Sequence, residues 1–130
     1  MSKCRDYAEV THLRATEPGA VAKAWQERTT RPTIRGDGRL MIVAADHPAR
    51  GALGVGPRPT AMNSRTDLLD RLRAALAVPG VDGVLASSDI LDDLVLLGAL
   101  EDKVVFSSFN RGGLAGASFE LDDRMTGATA

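Results

Sequence analysis

The sequence is poor in several residue types, and each shortage narrows what the protein is. Its 130 residues include one cysteine, Cys4, so an intramolecular disulfide and a cysteine-based zinc cluster are both excluded. Three lysines accompany thirteen arginines, and the net charge is −1. A chain this close to neutral has no broad electrostatic attraction for nucleic acid or an anionic membrane, so we expect neither as a partner.

Long apolar stretches are also absent. No run could span a bilayer, and the amino-terminal residues carry mixed charge without the apolar core of a secretory signal. A lone cysteine suits a reducing compartment. We therefore predict a cytoplasmic protein, and a length of 130 residues suffices for one domain with its own core.

The chain alternates short apolar runs with amphipathic segments after about residue 40. Uninterrupted apolar runs are typical of strands buried on both faces of a parallel sheet. Two helices are predicted before them, followed by a linker that is broken by proline and glycine. We predict an α/β fold with about three parallel strands, divided into a helical segment with linker (1–39) and the β/α units (40–130). The predicted strands are Leu40–Ala45, Gly83–Ala86 and Val104–Ser107, with a helix Ser64–Ala77 and another after Ser87 or Ser88.

Three helix starts carry recognisable signals. Thr16 is expected to cap the second helix, and Ser64 has capping-box spacing to Asp67. Ser87 or Ser88 is expected to cap the helix after the second strand. The acidic residues of that helix, Asp89, Asp92 and Asp93, are expected in its first turns, at the positive end of the helix dipole.

Each predicted strand ends in a polar cluster. Asp46 and His47 follow the first strand, Ser87 follows the second, and the third leads to Asn110, Arg111 and Gly112. Carboxyl ends of parallel strands share one edge of the sheet, where α/β folds bind ligands. We expect these residues to form a site for a polar small molecule, with no metal and no cofactor.

Each of these residues also has a simpler interpretation. Ser87 suits a helix cap, and His47 before a proline suits a hydrogen-bonded turn. The Asn110–Gly113 segment is also typical of a plain loop. Asp46 is harder to explain structurally, because a carboxylate that ends a buried strand needs a partner or a function.

The segment Met41–Gly51 contains Asp-His-Pro and resembles a bacterial family of (β/α)8 barrels described as deoxyribose-phosphate-aldolase-like. That family is related to class I fructose-bisphosphate aldolases of the archaeal type. The likeness continues through Pro79–Leu85 and Asn110–Glu120, and it covers most of the chain after about residue 14.

The resemblance implies a Schiff-base lyase that cleaves or forms a carbon–carbon bond in a phosphorylated sugar. Asp46 matches the family's aspartate near the reacting carbonyl, with His47 beside it. Asn110, Arg111, Gly112 and Ser87 would bind the substrate. Lys3 is terminal, Lys23 lies on the early helix and Lys103 precedes the third strand, so none of them matches the family's lysine nucleophile.

A complete barrel needs about 250 residues, so three β/α units would be the amino-terminal part of one. We expect a truncated family member that is inactive alone and marginally stable, or that associates with further copies through its open sheet edges. The alternative is a non-catalytic α/β module that binds a ligand or a partner chain.

Overall fold

The computed structural model describes residues 3–108, which form a three-stranded parallel sheet with four α-helices. The strand order is β1-β2-β3, so chain neighbours are also sheet neighbours. The prediction of an α/β fold with three parallel strands is confirmed. The elements are α1 (Tyr7–Thr16), α2 (Gly19–Glu27), β1 (Ile42–Ala44), a short 3-10 helix (Pro48–Arg50), α3 (Arg65–Leu76), β2 (Gly83–Ala86), α4 (Ser88–Leu96) and β3 (Val104–Ser107).

The second and third strands have the predicted bounds, whereas β1 is shorter than the predicted Leu40–Ala45. The cause lies at Met41, whose amide donates to Oδ2 of Asp82 at 2.7 Å instead of to a neighbouring strand. At the other end, the amide of Ala45 still donates to the carbonyl of Leu85 at 2.7 Å. Pairing with β2 therefore continues to the residue before Asp46.

One predicted helix cap is confirmed and one is wrong. Ser64 caps α3 by accepting a hydrogen bond from the amide of Asp67 at 3.2 Å. Thr16 is instead the last residue of α1, and its hydroxyl donates back to the carbonyl of His12 at 2.9 Å. A threonine inside a helix readily makes this backward bond, which leaves α2 to begin after Pro18 without a capping side chain.

The two faces of the sheet have different surroundings. Val43, Val84 and Val105 are partners in register, and all three pack in the hydrophobic core beneath the helices. Side chains alternate along a strand, so Ala44, Leu85 and Phe106 point to the opposite face. We call this the open face, because Phe106 is 40% exposed and Ala44 is also exposed.

The amino-terminal helices pack on the outside of the β/α units. Val10 and Ala24 belong to the same buried cluster as Val84. The linker that follows α2 is held at the amino edge of the sheet, where Nη1 of Arg31 lies 2.7 Å from Oδ1 of Asp82. The Arg31 side chain is only 4% exposed, so this ion pair fixes the linker at the entrance to β1.

Candidate functional site

The carboxyl ends of the three strands lie side by side. At the end of β1, the amide of Ala45 donates to the carbonyl of Leu85 in β2. At the end of β3, the amide of Ser108 donates to the carbonyl of Ala86, also in β2, at 3.2 Å. Residues 46, 87 and 108 therefore follow adjacent strands at one edge. Of the predicted site, Asp46, His47 and Ser87 lie at this edge, whereas Asn110, Arg111 and Gly112 lie outside the described residues.

Asp46 is a largely enclosed carboxylate at the end of β1. Its side chain is 17% exposed and lies beside the guanidinium of Arg50 and the imidazole of His47. Nε of Arg50 lies 3.5 Å from Oδ2, and Nδ1 of His47 lies 3.7 Å from Oδ1. The carboxylate is therefore held between two side chains that both come from the segment directly after β1.

Arg50 reaches Asp46 because the chain turns tightly after the strand. Pro48 starts the 3-10 helix, and Gly51 ends it with φ of 75°, a conformation that favours glycine. Nε of Arg50 is buried and has no hydrogen-bond partner, since its contact with Asp46 is an ion pair without hydrogen-bond geometry. The attraction between Arg50 and Asp46 is therefore one of charge, and the Nε–H of Arg50 makes no hydrogen bond.

His47 has a backbone role and a half-exposed side chain beside Asp46. Its carbonyl accepts hydrogen bonds from the amides of Arg50 at 3.0 Å and Ala52 at 3.1 Å, as a turn residue would. Its imidazole is 52% exposed and lines a cavity of about 420 Å³. The side chain therefore remains accessible to a ligand.

Ser87 occupies the N-cap position of α4, but it makes no capping hydrogen bond, so the capping interpretation of its hydroxyl is wrong. Together with Ser64, Arg65 and Asp89 it lines a second cavity of about 330 Å³. Burial by itself raises the pKa of Asp89, but hydrogen bonds from Arg65 and Ser87 outweigh it and lower that pKa. The Ser87 hydroxyl is thus engaged with a carboxylate instead of a backbone amide.

A buried charge cluster on the helix side was not predicted. Asp93 is the buried acidic residue of α4, and it binds Arg14 of α1 and Arg65 of α3. Asp89 lies in the first turn of α4 and Asp93 in the next turn, as expected, but the Asp93 carboxylate is also paired with two arginines, which was not expected. The available signal was an acidic residue within the apolar stripe of α4, beside Leu94.

The three lysines lie away from the carboxyl edge. Nζ of Lys103 donates to the carbonyl of Val81 at 2.7 Å, before β2 begins. Lys3 pairs with Glu101 at 3.2 Å and Lys23 with Glu27 at 3.8 Å. This chain therefore brings no lysine amine to the edge that carries Asp46.

Residues 3–108 carry neither clustered metal ligands nor a membrane-spanning helix. That part of the chain contains no group of three or more histidine, cysteine, aspartate or glutamate side chains arranged to hold a metal ion. None of its helices combines the length and apolar character needed to cross a membrane.

Comparison with known proteins identifies the family. The crystal structure of Cgl0159 from Corynebacterium glutamicum (Brevibacterium flavum) matches with a TM-score of 0.86 and 56% sequence identity. The match covers 92% of this chain and 40% of that one, so the chain spans well under half of the relative's length. None of the curated proteins matches the chain. The model of the Cgl0159-like family matches residues 38–130, more than half of the sequence, and the chain therefore belongs to the Cgl0159-like family.

Proposed function

We propose that this chain contributes one part of a class I, Schiff-base lyase that cleaves or forms a carbon–carbon bond in a phosphorylated sugar. The observation that carries the proposal is Asp46, a largely enclosed carboxylate directly after β1 with Arg50 and His47 against it. Carboxylates held in such surroundings at the carboxyl edge of a parallel sheet are frequent proton-transfer groups. The resemblance of the Asp-His-Pro segment to the aldolase-like barrels favours the same role.

In the proposed reaction, a lysine amine attacks the substrate carbonyl and water leaves, which forms an imine. The substrate hydroxyl on the departing carbon then loses its proton and becomes a carbonyl as the carbon–carbon bond breaks, and the electron pair of that bond moves into the protonated imine, which becomes an enamine. Asp46 would accept the proton of the reacting substrate hydroxyl or orient the imine, and His47 would assist Asp46 in this role. Ser87, Asn110, Arg111 and Gly112 would bind the hydroxyl groups and the phosphate.

The nucleophile must come from outside this chain, since none of its lysines is at the carboxyl edge. We accordingly propose that the three β/α units belong to a (β/α)8 barrel that further polypeptide completes. The match to only 40% of Cgl0159 supports this, because the rest of that protein is long enough to supply the remaining units. A cytoplasmic location accords with the single cysteine.

Borohydride trapping tests the chemistry. The full chain is incubated with 2-deoxyribose 5-phosphate or fructose 1,6-bisphosphate and borohydride, first alone and then after co-expression with the complementary segment. By complementary segment we mean the part of Cgl0159 outside the 40% that this chain matches. We expect mass spectrometry to find an adduct on the complementary segment and none on this chain.

Asp46→Asn should slow trapping by about 100-fold or more, in the range for a lost proton-transfer group. The matched control is Asp102→Asn, because Asp102 also pairs with an arginine, Arg35, but lies in the turn before β3. An adduct on a lysine of this chain, or equal trapping by both variants, would refute the proposal. Sugar-phosphate binding without any adduct would instead favour a non-catalytic binding module.

A further inference from the structure

The carboxylate of Asp82 binds both ends of the linker between α2 and β1. Nη1 of Arg31 lies 2.7 Å from Oδ1, and the amide of Met41 donates to Oδ2 at 2.7 Å. The chain between these two residues therefore leaves the sheet and returns to the same carboxylate as a closed loop. Its outer part, residues 32–39, is exposed throughout. A chemical change in this outer part leaves both anchors of the loop in place.

The outer part of the loop carries Asp37 followed by Gly38. The amide of Arg39 donates to Oδ1 of Asp37 at 3.1 Å, so the carboxyl group is held beside the backbone that follows it. Gly38 has φ of 70°, and a Cβ built on it would meet nothing within 4 Å. The nitrogen of Gly38 is therefore unshielded next to an exposed carboxyl group, with open space around the pair.

We propose that Asp37 is a site of backbone isomerisation in the folded protein. The nitrogen of Gly38 attacks Cγ of the protonated Asp37 carboxyl group, the amide proton is lost, and the hydroxyl group leaves as water. The product is a five-membered succinimide ring. Water then opens the ring at either carbonyl. Opening at Cγ restores aspartate, whereas opening at the main-chain carbonyl gives isoaspartate, in which the chain runs through Cγ.

One hydrogen bond opposes this attack. The amide of Gly38 donates to the carbonyl of Arg35 at 2.9 Å, so this turn must open before the nitrogen can react. A single exposed hydrogen bond adds little net stability, because water replaces it, and exposed loops open locally at small cost. The turn therefore slows the reaction only by a small factor.

The sequence contains a second Asp-Gly pair, Asp82-Gly83, in the opposite surroundings. The amide of Met41 and then Arg31 lower the pKa of Asp82, which keeps its carboxyl group in the unreactive ionised form. A Cβ on Gly83 would overlap the carbonyl oxygen of Val104, so the strand has no room to distort into a ring. Asp82 is therefore an internal control, because the fold protects the same two residue types there.

Isoaspartate at position 37 would lengthen the loop by one main-chain carbon and leave a free carboxylate derived from the backbone. That carboxylate is the group that an isoaspartyl methyltransferase esterifies with the methyl group of S-adenosylmethionine. The expected partner is thus an enzyme of this chemical class, and the inference depends on neither the lyase chemistry nor the barrel. Because both ends of the loop stay on Asp82, the modified chain should keep its fold.

Ageing of the full chain tests the proposal. The protein is kept for weeks at physiological temperature in native buffer and, in parallel, in concentrated urea, and electron-transfer mass spectrometry then distinguishes isoaspartate from aspartate. In native buffer, isoaspartate should accumulate at Asp37 at least tenfold faster than at Asp82. Urea should raise the rate at Asp82 at least tenfold and the rate at Asp37 by less than tenfold. Equal rates at the two pairs in native buffer, including no isomer at either, would overturn the proposal. A rise of tenfold or more at Asp37 in urea would show that the native turn protects it, with the same consequence.

Two matched variants identify the attacking atom. Gly38→Ala should slow isomerisation at Asp37 at least tenfold, because the added methyl group shields the nitrogen. Gly36→Ala is the control, since it adds a methyl group on the other side of Asp37, where a Cβ also meets nothing within 4 Å. Asp37→Glu, which would need a six-membered ring, should give no isomer and does not place a side chain at the positive φ of Gly38. Equal ageing of the two alanine variants, or an isomer in Asp37→Glu, would refute the proposed reaction.

Discussion

Arg65, the first residue of α3, holds the buried carboxylate of Asp93 through two nitrogens, with Nε 3.0 Å and Nη2 2.7 Å from Oδ2. Nη1 of Arg14 lies 2.5 Å from the other oxygen. The Asp93 side chain is 7% exposed, so both of its oxygens depend on these arginines for hydrogen bonds. One carboxylate thus connects α1, α3 and α4.

Asp93→Ala should lower the free energy of unfolding by about 1–3 kcal/mol, because it removes the buried carboxylate that accepts hydrogen bonds from both Arg14 and Arg65. Urea denaturation measures this change. Asp67→Ala is the control, since the pair of Asp67 with Arg71 is exposed and should contribute no more than about 0.5 kcal/mol. Similar losses in the two variants would show that Asp93 is not a structural anchor.

Gly83→Ala should destabilise the sheet by about 1–3 kcal/mol, the usual effect of overpacking. A Cβ on Gly83 would overlap the carbonyl oxygen of Val104 on the next strand, and a backbone atom cannot move aside cheaply. Thermal unfolding by circular dichroism measures the loss. Gly36→Ala is the matched control, because a Cβ there meets nothing within 4 Å, and an equal effect at both sites would contradict the crowding at β3.

Acid should destabilise the protein through its paired carboxylates. The pKa of Asp82 is lowered, first by the hydrogen bond from the amide of Met41 and then by Arg31, and the pKa of Glu101 is lowered chiefly by the amide of Thr29. Between the folded and unfolded pKa values the unfolded chain binds more protons. The stabilisation is therefore complete above the unfolded values, near pH 4, and is lost as the pH falls through the lower folded values.

Urea denaturation between about pH 7 and pH 3 checks this dependence. The free energy of unfolding should begin to fall close to pH 5 and continue to fall below pH 4. Asp82→Asn should be less stable at neutral pH and should show a shallower fall. A slope unchanged by this substitution would remove Asp82 from the explanation.

Trp25 is the single tryptophan and reports on the packing of α2 against α4. Its Nε1 donates to Oδ1 of Asp92 at 2.8 Å. Asp92→Ala should shift the fluorescence emission to longer wavelength and lower stability by about 1 kcal/mol, because a partly buried N–H loses its partner. Asp37→Ala, in the exposed linker, should change neither property. An unshifted spectrum in Asp92→Ala would argue against this contact.

The sequence predicted those features that depend on local pattern. β2 and β3 have the predicted bounds because continuous apolar residues and flanking polar residues define them. Asp46 was placed correctly after β1 for the same reason. The length of β1 was overestimated because the Asp82 side chain, 41 residues away, takes the amide of Met41. The residues around β1 do not indicate that contact, because its partner lies far away in the sequence.

The features missed from the sequence are tertiary pairings. The link between Arg65 and Asp93 joins two helices, and no spacing rule distinguishes it from an exposed pair. Arg50 was closer to being predictable, since Pro48 and Gly51 indicate the turn that returns it to Asp46. The hydroxyl of Ser87 was ambiguous because helix capping and ligand binding both favour serine.

The polar anchors of the sheet, Lys103 on Val81 and Arg31 on Asp82, are both at its amino edge. None of these four residues belongs to the loops that follow the strands. A substitution in those loops therefore leaves these two anchors intact. The entrance to β1 and the approach to β2 would stay fixed while the side chains at the opposite end of the sheet are changed.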